Sequence, residues 1–332
     1  MGLLVEGRWY DRWYDTAKSG GKFEREASSY RHWITVDGSA GDNGEAGFKA
    51  ESGRYHLYVS MACPWAHRTL ILRKLKGLEQ HISVSVVHPD MLEDGWQFAP
   101  DSDDHCDHLY GLRYLHQLYT RVNSVYTGRV TVPVLWDKQA QTIVNNESAD
   151  IIRMLNSAFD GLDGVRSDRD FYPEALRAEV SAVNERVYHA VNNGVYRTGF
   201  ATSQEVYEQA CSEVFSGLDW LDQRLSGQRY LAGNRLTEAD WRLFTTLIRF
   251  DAVYYGHFKC NLRQIRDYPH LSAYLKDLYQ VPGVAETVDF EQIKRHYYVS
   301  QRSINPTQVV PLGPELDFSG EHGRGKLGPD LV

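Results

Sequence analysis

The stretch 55-YHLYVSMACPWAHRTLILRKLKGL-78 decides how this chain is read. Tyr55–Ser60 is a short run rich in β-formers. From Pro64 to Lys76 the pattern changes, and Ile71, Leu72, Leu75 and then Leu78 fall on one face of a helix. Cys63 stands at the turn between strand and helix. Pro64 suits the first helical position, where no amide hydrogen is needed. A thiol so placed faces unpaired N–H groups and the positive end of the helix dipole, and both favour thiolate. That points to a nucleophile, against the commoner fate of a lone cysteine as an inert packing residue. Arg68 adds a positive charge whose direction the sequence leaves open.

Working outward, Ile82–Val87 is a second strand, and the insertion 89–128 carries a predicted helix near Leu109–Val122. Strand Val130–Trp136, a short strand Thr142–Val144 and helix Ser148–Phe159 follow. A βαβ crossover, then a hairpin and a helix, predicts an α/β thioredoxin-like N-terminal domain over 54–165. From Pro173 to about residue 300 only helical patterns are found, so 170–302 is read as an all-α C-terminal domain. Within it, Thr237-Glu238-Ala239-Asp240 resembles a capping box with Asp in place of Glu or Gln, and Leu236 and Trp241 match a hydrophobic staple. Both features are structural. Residues 1–53 read as an extended segment, with Gly38, Gly41, Gly44 and Gly47 in a flexible loop, and 303–332 as an irregular C-terminal tail.

Among the 332 residues, 36 basic side chains stand against 44 acidic ones, and the formal charge of −8 argues against general nucleic-acid binding. No apolar run approaches the roughly 18 residues of a membrane span. The start MGLLVEGRWYDRWYD lacks the apolar core of a signal peptide, so a cytoplasmic protein is expected. Its four cysteines, Cys63, Cys106, Cys211 and Cys260, are too widely spaced for a disulfide scaffold and fit a reducing compartment. Asp103-Asp-His-Cys-Asp-His108 invites a metal reading, but neighbours on a helix diverge by about 100° and no second ligand cluster exists. It reads as a solvated acidic loop running into a helix, and neither metal nor nucleotide is expected. Cys211 and Cys260 sit in helical patterns and read as packing residues.

Ala66 occupies the second cysteine position of a redox CxxC. A monothiol that attacks sulfur must then be resolved by an external thiol, and glutathione is the abundant cytosolic choice. Val132-Pro133 supplies the proline that usually opens the third strand of such a fold in cis, beside backbone free to pair with a peptide-like ligand. An edge-strand proline is the plainer alternative. In Asn146-Glu147-Ser148, Ser148 can cap the following helix and hold a carboxylate, and Glu147 can pair with an ammonium group. Plain helix capping accounts for the same residues. Of 21 tyrosines, Tyr196 follows Asn192-Asn193-Gly194, a helix-ending signal that puts it on a loop edge. Tyr254, Tyr255, Tyr297 and Tyr298 stand near later helices, and sequence physics does not select among them.

With these residues assembled, the chain resembles the cysteine-type glutathione transferases, and specifically the glutathionyl-hydroquinone reductases, or Xi class. Its stretches GGKFEREASSYRHW, DGWQF, GRVTVPVLWDK, NNESADIIRM, NNGVYRTGFA, LTEADWRLF, HFKC and INPT carry the resemblance along nearly the whole length, together with 55–78. CPWAHR alone is less specific, because omega-class transferases share a similar segment. The resemblance implies a glutathione-transferase helical domain, glutathione as co-substrate, glutathionyl-hydroquinones as substrates and a homodimer. By position, Cys63 would be the nucleophile, and Trp96, Arg129, Val130, Thr131, Val132, Glu147 and Ser148 would bind glutathione. Tyr196 would donate a proton, while Tyr254 and Tyr297 would line the substrate pocket and help lower the Cys63 pKa. Two rivals are an omega-like thiol transferase or dehydroascorbate reductase, and a non-catalytic transferase-like interaction module.

Overall fold

Two short strands near the start, β1 (Leu3–Val5) and β2 (Arg8–Tyr10), close a hairpin through Glu6 and Gly7. Both turn residues take positive φ, 48° and 77°, as a tight two-residue hairpin requires. This is the first departure from the extended segment expected for 1–53. The computed structural model describes residues 2–328. Next in order are β3 (Tyr55–Val59), α1 (Pro64–Leu75), β4 (Ile82–Val86), α2 (His116–Val122) and β5 (Gly128–Arg129). Then come β6 (Val134–Asp137), β7 (Thr142–Asn145) and α3 (Ser148–Ser157).

The main sheet has the order β4-β3-β6-β7, with β3 parallel to β4 and antiparallel to β6, and β6 antiparallel to β7. Every residue of β3 and β6 is buried, as central strands covered on both faces must be. Helices α1 and α3 pack on each other. Most predicted boundaries in this unit agree within two residues. The exceptions are the helix expected near Leu109–Val122, which starts only at His116, and the strand expected at Val130–Trp136, which begins only at Val134. Pro133 has no N–H for a ladder, and Gly128–Arg129 pair with β1 in a separate small sheet β2-β1-β5.

The Gly38–Gly47 loop is irregular, with close contacts at two of its glycines. Gly47 N–H donates to the Gly38 carbonyl at 2.8 Å, and a Cβ on Gly41 would lie 2.4 Å from that of Trp33. Just before it, residues 30–32 run along β7: His32 N–H meets the Val144 carbonyl, and Asn146 N–H meets that of Tyr30. The outer edge of the sheet is thereby paired by the N-terminal segment.

The chain forms two compact units. One takes in the chain up to Trp13 together with Glu26–Arg169, and the other takes Tyr14–Arg25 together with the chain from Asp170 onward. Helices of the second unit are α4 (Arg177–Val187), α5 (Gly194–Gly199), α6 (Gln204–Leu225), α7 (Glu238–Arg249), α8 (Pro269–Tyr279) and α9 (Phe290–Ser300). Helix α7 is buried along nearly all its length. Its start explains the Asp at the capping-box position. The buried Asp240 carboxylate accepts from Thr237 N–H (2.8 Å) and hydroxyl (3.0 Å), and also from Leu231 N–H and Tyr274 hydroxyl, both at 2.8 Å. Desolvation raises its pKa, and the four donors oppose that shift. The described part of the tail, up to residue 328, is anchored: Arg324 is buried and donates to the Gln228 and Arg229 carbonyls, each at 2.7 Å.

Candidate active site

In the first unit, Cys63 is the N-cap of α1, with Pro64 at the first helical position. Its backbone is extended (φ −76°, ψ 120°), and no side-chain hydrogen bond caps the helix. The first turn carries no acidic residue that would oppose a thiolate. Cys63 retains 9% exposure, and its thiol donates to the Val132 carbonyl across 3.6 Å. That contact brings together the cysteine and the residue before Pro133, whose peptide bond is cis, in line with the expectation for this fold. The Arg68 direction is also resolved. Its buried guanidinium lies 4.6 Å from the Trp65 ring centroid and donates to Ser148 Oγ at 3.3 Å.

That hydrogen bond alters one sequence reading. Ser148 was expected to cap α3, but Glu147 is the cap, its carboxylate accepting from Ala149 N–H at 3.1 Å. Ser148 becomes the first helical residue, and its hydroxyl is turned to Arg68. Glu147 also accepts from the Ser28 hydroxyl at 3.0 Å. Asn146 accepts from Tyr30 N–H and donates to the Tyr119 hydroxyl. Tyr119 was missed by sequence reasoning, since nothing separates it from an ordinary core tyrosine. It is fully buried and donates to the Thr131 carbonyl at 3.0 Å while accepting from Thr131 N–H and the Asn146 amide. One hydroxyl thus ties the backbone at 131 to the turn before α3. Burial pushes its pKa up to about 12, so it remains a neutral donor.

Val130 and Val132 are buried beside Thr131. Arg129 donates to the Arg12 carbonyl at 2.6 Å and lies 3.7 Å from the Glu26 carboxylate. Trp96 is buried at the end of a turn closed by Gly95, whose φ of +74° brings it against the Trp9 ring. A Cβ there would lie 2.6 Å from that indole, so only glycine fits.

The second unit gathers the three tyrosines that sequence physics could not choose. Tyr196 and Tyr297 hydroxyls are 2.6 Å apart, and Tyr297 and Tyr254 hydroxyls 2.9 Å apart, and Tyr254 also interacts with Tyr196, so the three phenols form one cluster. Tyr254 is 0% exposed and Tyr297 1%, against 9% for Tyr196. Burial raises the Tyr254 and Tyr297 pKa values far above the ordinary phenol, partly offset by the buried Arg249. The local folding differs from expectation. Asn192-Asn193-Gly194 does not end the helix and Tyr196 is not on a loop edge. The chain passes from α4 through a wide π-type turn, Tyr188–Asn192, into α5, where Tyr196 sits. Asn192 donates to the Arg242 carbonyl and Thr246 hydroxyl, and Gly194 lets the chain approach Val214. Tyr254 lies in a second such turn, Phe250–Tyr254, after α7. Wide turns of this kind often mark functional positions.

Asp103–His108 departs from its predicted form. Asp107 is not solvated: it is buried and accepts from the Tyr58 hydroxyl and the Leu109 and Leu112 N–H groups, so the chain turns there and the helix starts only at His116. His108 is 3.0 Å from the Ser85 hydroxyl, while His105 packs on the His88 ring. Among the described residues, no group of three or more His, Cys, Asp or Glu is gathered as a metal site. Cys211 is buried in α6, and Cys260 is buried after the second wide turn, outside any helix and so unlike its expected place. Burial raises both thiol pKa values, consistent with packing roles.

Residues 62–158 match the glutathione S-transferase N-terminal domain family, and residues 204–277 match its C-terminal domain family. Glutathionyl-hydroquinone reductase YqjG of Escherichia coli K12 is 56% identical over 325 residues, 98% of each chain. The glutathione-bound structure of YqjG matches with a TM-score of 0.89 and 52% identity, over 97% of this chain and 99% of that one. The Xi-class glutathione transferase of Natrialba magadii matches with a TM-score of 0.90 and 47% identity, over 99% and 98%. No helix among the described residues is long and apolar enough to cross a membrane.

Proposed function

Because the chain belongs to the glutathionyl-hydroquinone reductases, the Xi class of glutathione transferases, we propose that it reduces glutathionyl-hydroquinones to hydroquinones at the expense of glutathione, through Cys63. The observation that carries the role of Cys63 is its place as N-cap of α1 with Ala66 where a resolving cysteine would stand. The Cys63 thiolate attacks the glutathionyl sulfur, and the bond from that sulfur to the aryl carbon breaks. The carbon keeps the electron pair and takes a proton from the Tyr196 hydroxyl, which is then restored from solvent. Hydroquinone leaves, and Cys63 holds glutathione as a mixed disulfide. A second glutathione thiolate attacks the glutathionyl sulfur, releasing oxidised glutathione and the Cys63 thiolate. A resolving cysteine at position 66 would compete with that second step.

The turn at Glu147 and Ser148 offers a carboxylate and helical N–H groups suited to the two ends of a γ-glutamyl head. The backbone at Val130–Val132, held by Tyr119 and in contact with the Cys63 thiol, suits the peptide part. Trp96 and Arg129 complete the assignment, and Tyr254 and Tyr297 are assigned to the substrate side. The omega-like alternative predicts good turnover of dehydroascorbate or small disulfides and no preference for aryl thioethers. Steady-state turnover of a glutathionyl-hydroquinone set against dehydroascorbate separates them, and an untouched aryl thioether rejects the proposal. Exposure to oxidised glutathione followed by mass spectrometry tests the module alternative, which requires an unmodified Cys63.

We further infer a cytoplasmic homodimer, supported by the absence of a disulfide pattern and by the family. Sedimentation at twice the 38.1 kDa chain mass, and recovery in the cytoplasmic fraction, are the expected results.

A further inference from the structure

The segment Tyr14–Arg25 belongs to the helical unit, where it holds a cation against one tyrosine. Gly21 carbonyl accepts from Thr202 N–H at 3.1 Å, and the buried Phe23 packs its ring 5.3 Å from that of Phe200 and 6.4 Å from that of Tyr196. Two residues on, Arg25 Nε donates to the Asn193 side-chain oxygen at 3.2 Å. The guanidinium carbon thereby lies 5.1 Å from the Tyr196 ring centroid and 5.4 Å from that of Phe23. Also facing Tyr196 are the Tyr297 hydroxyl from α9, the Tyr254 ring from the wide turn and the apolar rings of Phe200 and Phe258. Arg249 acts one step back, on Tyr254 and Tyr297.

We propose that Arg25 is a positioning residue that sets the acidity of Tyr196. A cation over an aromatic face is attracted by the ring, and more strongly once the phenol has lost its proton and negative charge spreads into the ring. Arg25 therefore stabilises the conjugate base of Tyr196 and makes it a better acid. Asn193 fixes the guanidinium by one hydrogen bond, and it sits in the turn that leads into α5, so cation and phenol are oriented from the same short stretch. The motif FER at 23–25 thus couples an N-terminal arm to a proton transfer. This inference rests on Tyr196 being the proton donor.

The test is single-turnover cleavage of a glutathionyl-hydroquinone across pH, with resolution of the Cys63 mixed disulfide by glutathione measured alongside. The alkaline limb of cleavage, where Tyr196 loses its proton, is assigned by its disappearance in Tyr196→Phe. In Arg25→Gln that limb moves upward by roughly half to one pH unit. Cleavage at neutral pH falls about three- to tenfold, and resolution is unchanged. Arg25→Lys keeps the charge and holds the limb near its wild-type position, which a merely structural role would not produce. An unmoved limb in Arg25→Gln, or equal slowing of both half-reactions, overturns the role of Arg25 while leaving Tyr196 as donor. Normal cleavage by Tyr196→Phe overturns the donor reading itself, and this inference with it.

Discussion

Cys63→Ser is expected to lower turnover of glutathionyl-hydroquinone by at least about four orders of magnitude, the scale on which loss of a covalent nucleophile is felt. An alkoxide is inaccessible near neutral pH, and an oxygen at this position cannot form the disulfide on which the second half of the cycle depends. The fold should survive intact. Cys63 is the N-cap of α1 and makes no capping hydrogen bond through its side chain, whereas Ser is among the preferred N-cap residues. The exchange removes little volume and can add a hydrogen bond to the first turn, so the midpoint of chemical denaturation should be unchanged or slightly higher. Absence of glutathionylation after exposure to oxidised glutathione should accompany the lost activity. Retained turnover in this variant would reject Cys63 as the nucleophile.

What could be read from the residues, and what could not, divides along physical lines. The strand-turn-helix around Cys63 was legible because each signal is local: β-formers, a proline at the first helical position and an apolar stripe. The start of β6 was not, because Gly128–Arg129 pair with a strand more than a hundred residues earlier. Asn192-Asn193-Gly194 looked like a helix end by composition. Its asparagine instead answers to α7 and its glycine to α6, both remote in sequence. The exchange of roles between Glu147 and Ser148 has the same origin, since Arg68 reaches Ser148 from another helix. Tyr119 and Arg25 carried no local mark at all. Each acquires meaning only through the group it touches, Thr131 and Asn146 for one, Tyr196 for the other.

Tyr196→Phe is expected to slow cleavage of the aryl thioether by about a hundredfold or more, within the range for loss of a positioned general acid, and to leave resolution by glutathione near the wild-type rate. The two half-reactions differ in what leaves. In the first, electrons settle on carbon, which needs a proton as the bond to sulfur breaks. In the second, the Cys63 thiolate departs, stable in its ionised form, and no phenol is required. Exposure and contact within the hydroxyl cluster separate the tyrosines. Tyr196 keeps the greatest exposure of the three, Tyr297 bonds to it at 2.6 Å, and Tyr254 is sealed from solvent. Once Tyr196 has given up its proton, the Tyr297 hydroxyl can donate to the phenolate, and its raised pKa keeps it protonated to do so. Tyr297→Phe and Tyr254→Phe should therefore each slow cleavage less than Tyr196→Phe. Rapid-mixing measurement of each half-reaction in the three variants checks that order, and equal slowing of both half-reactions in Tyr196→Phe would remove it from the acid role.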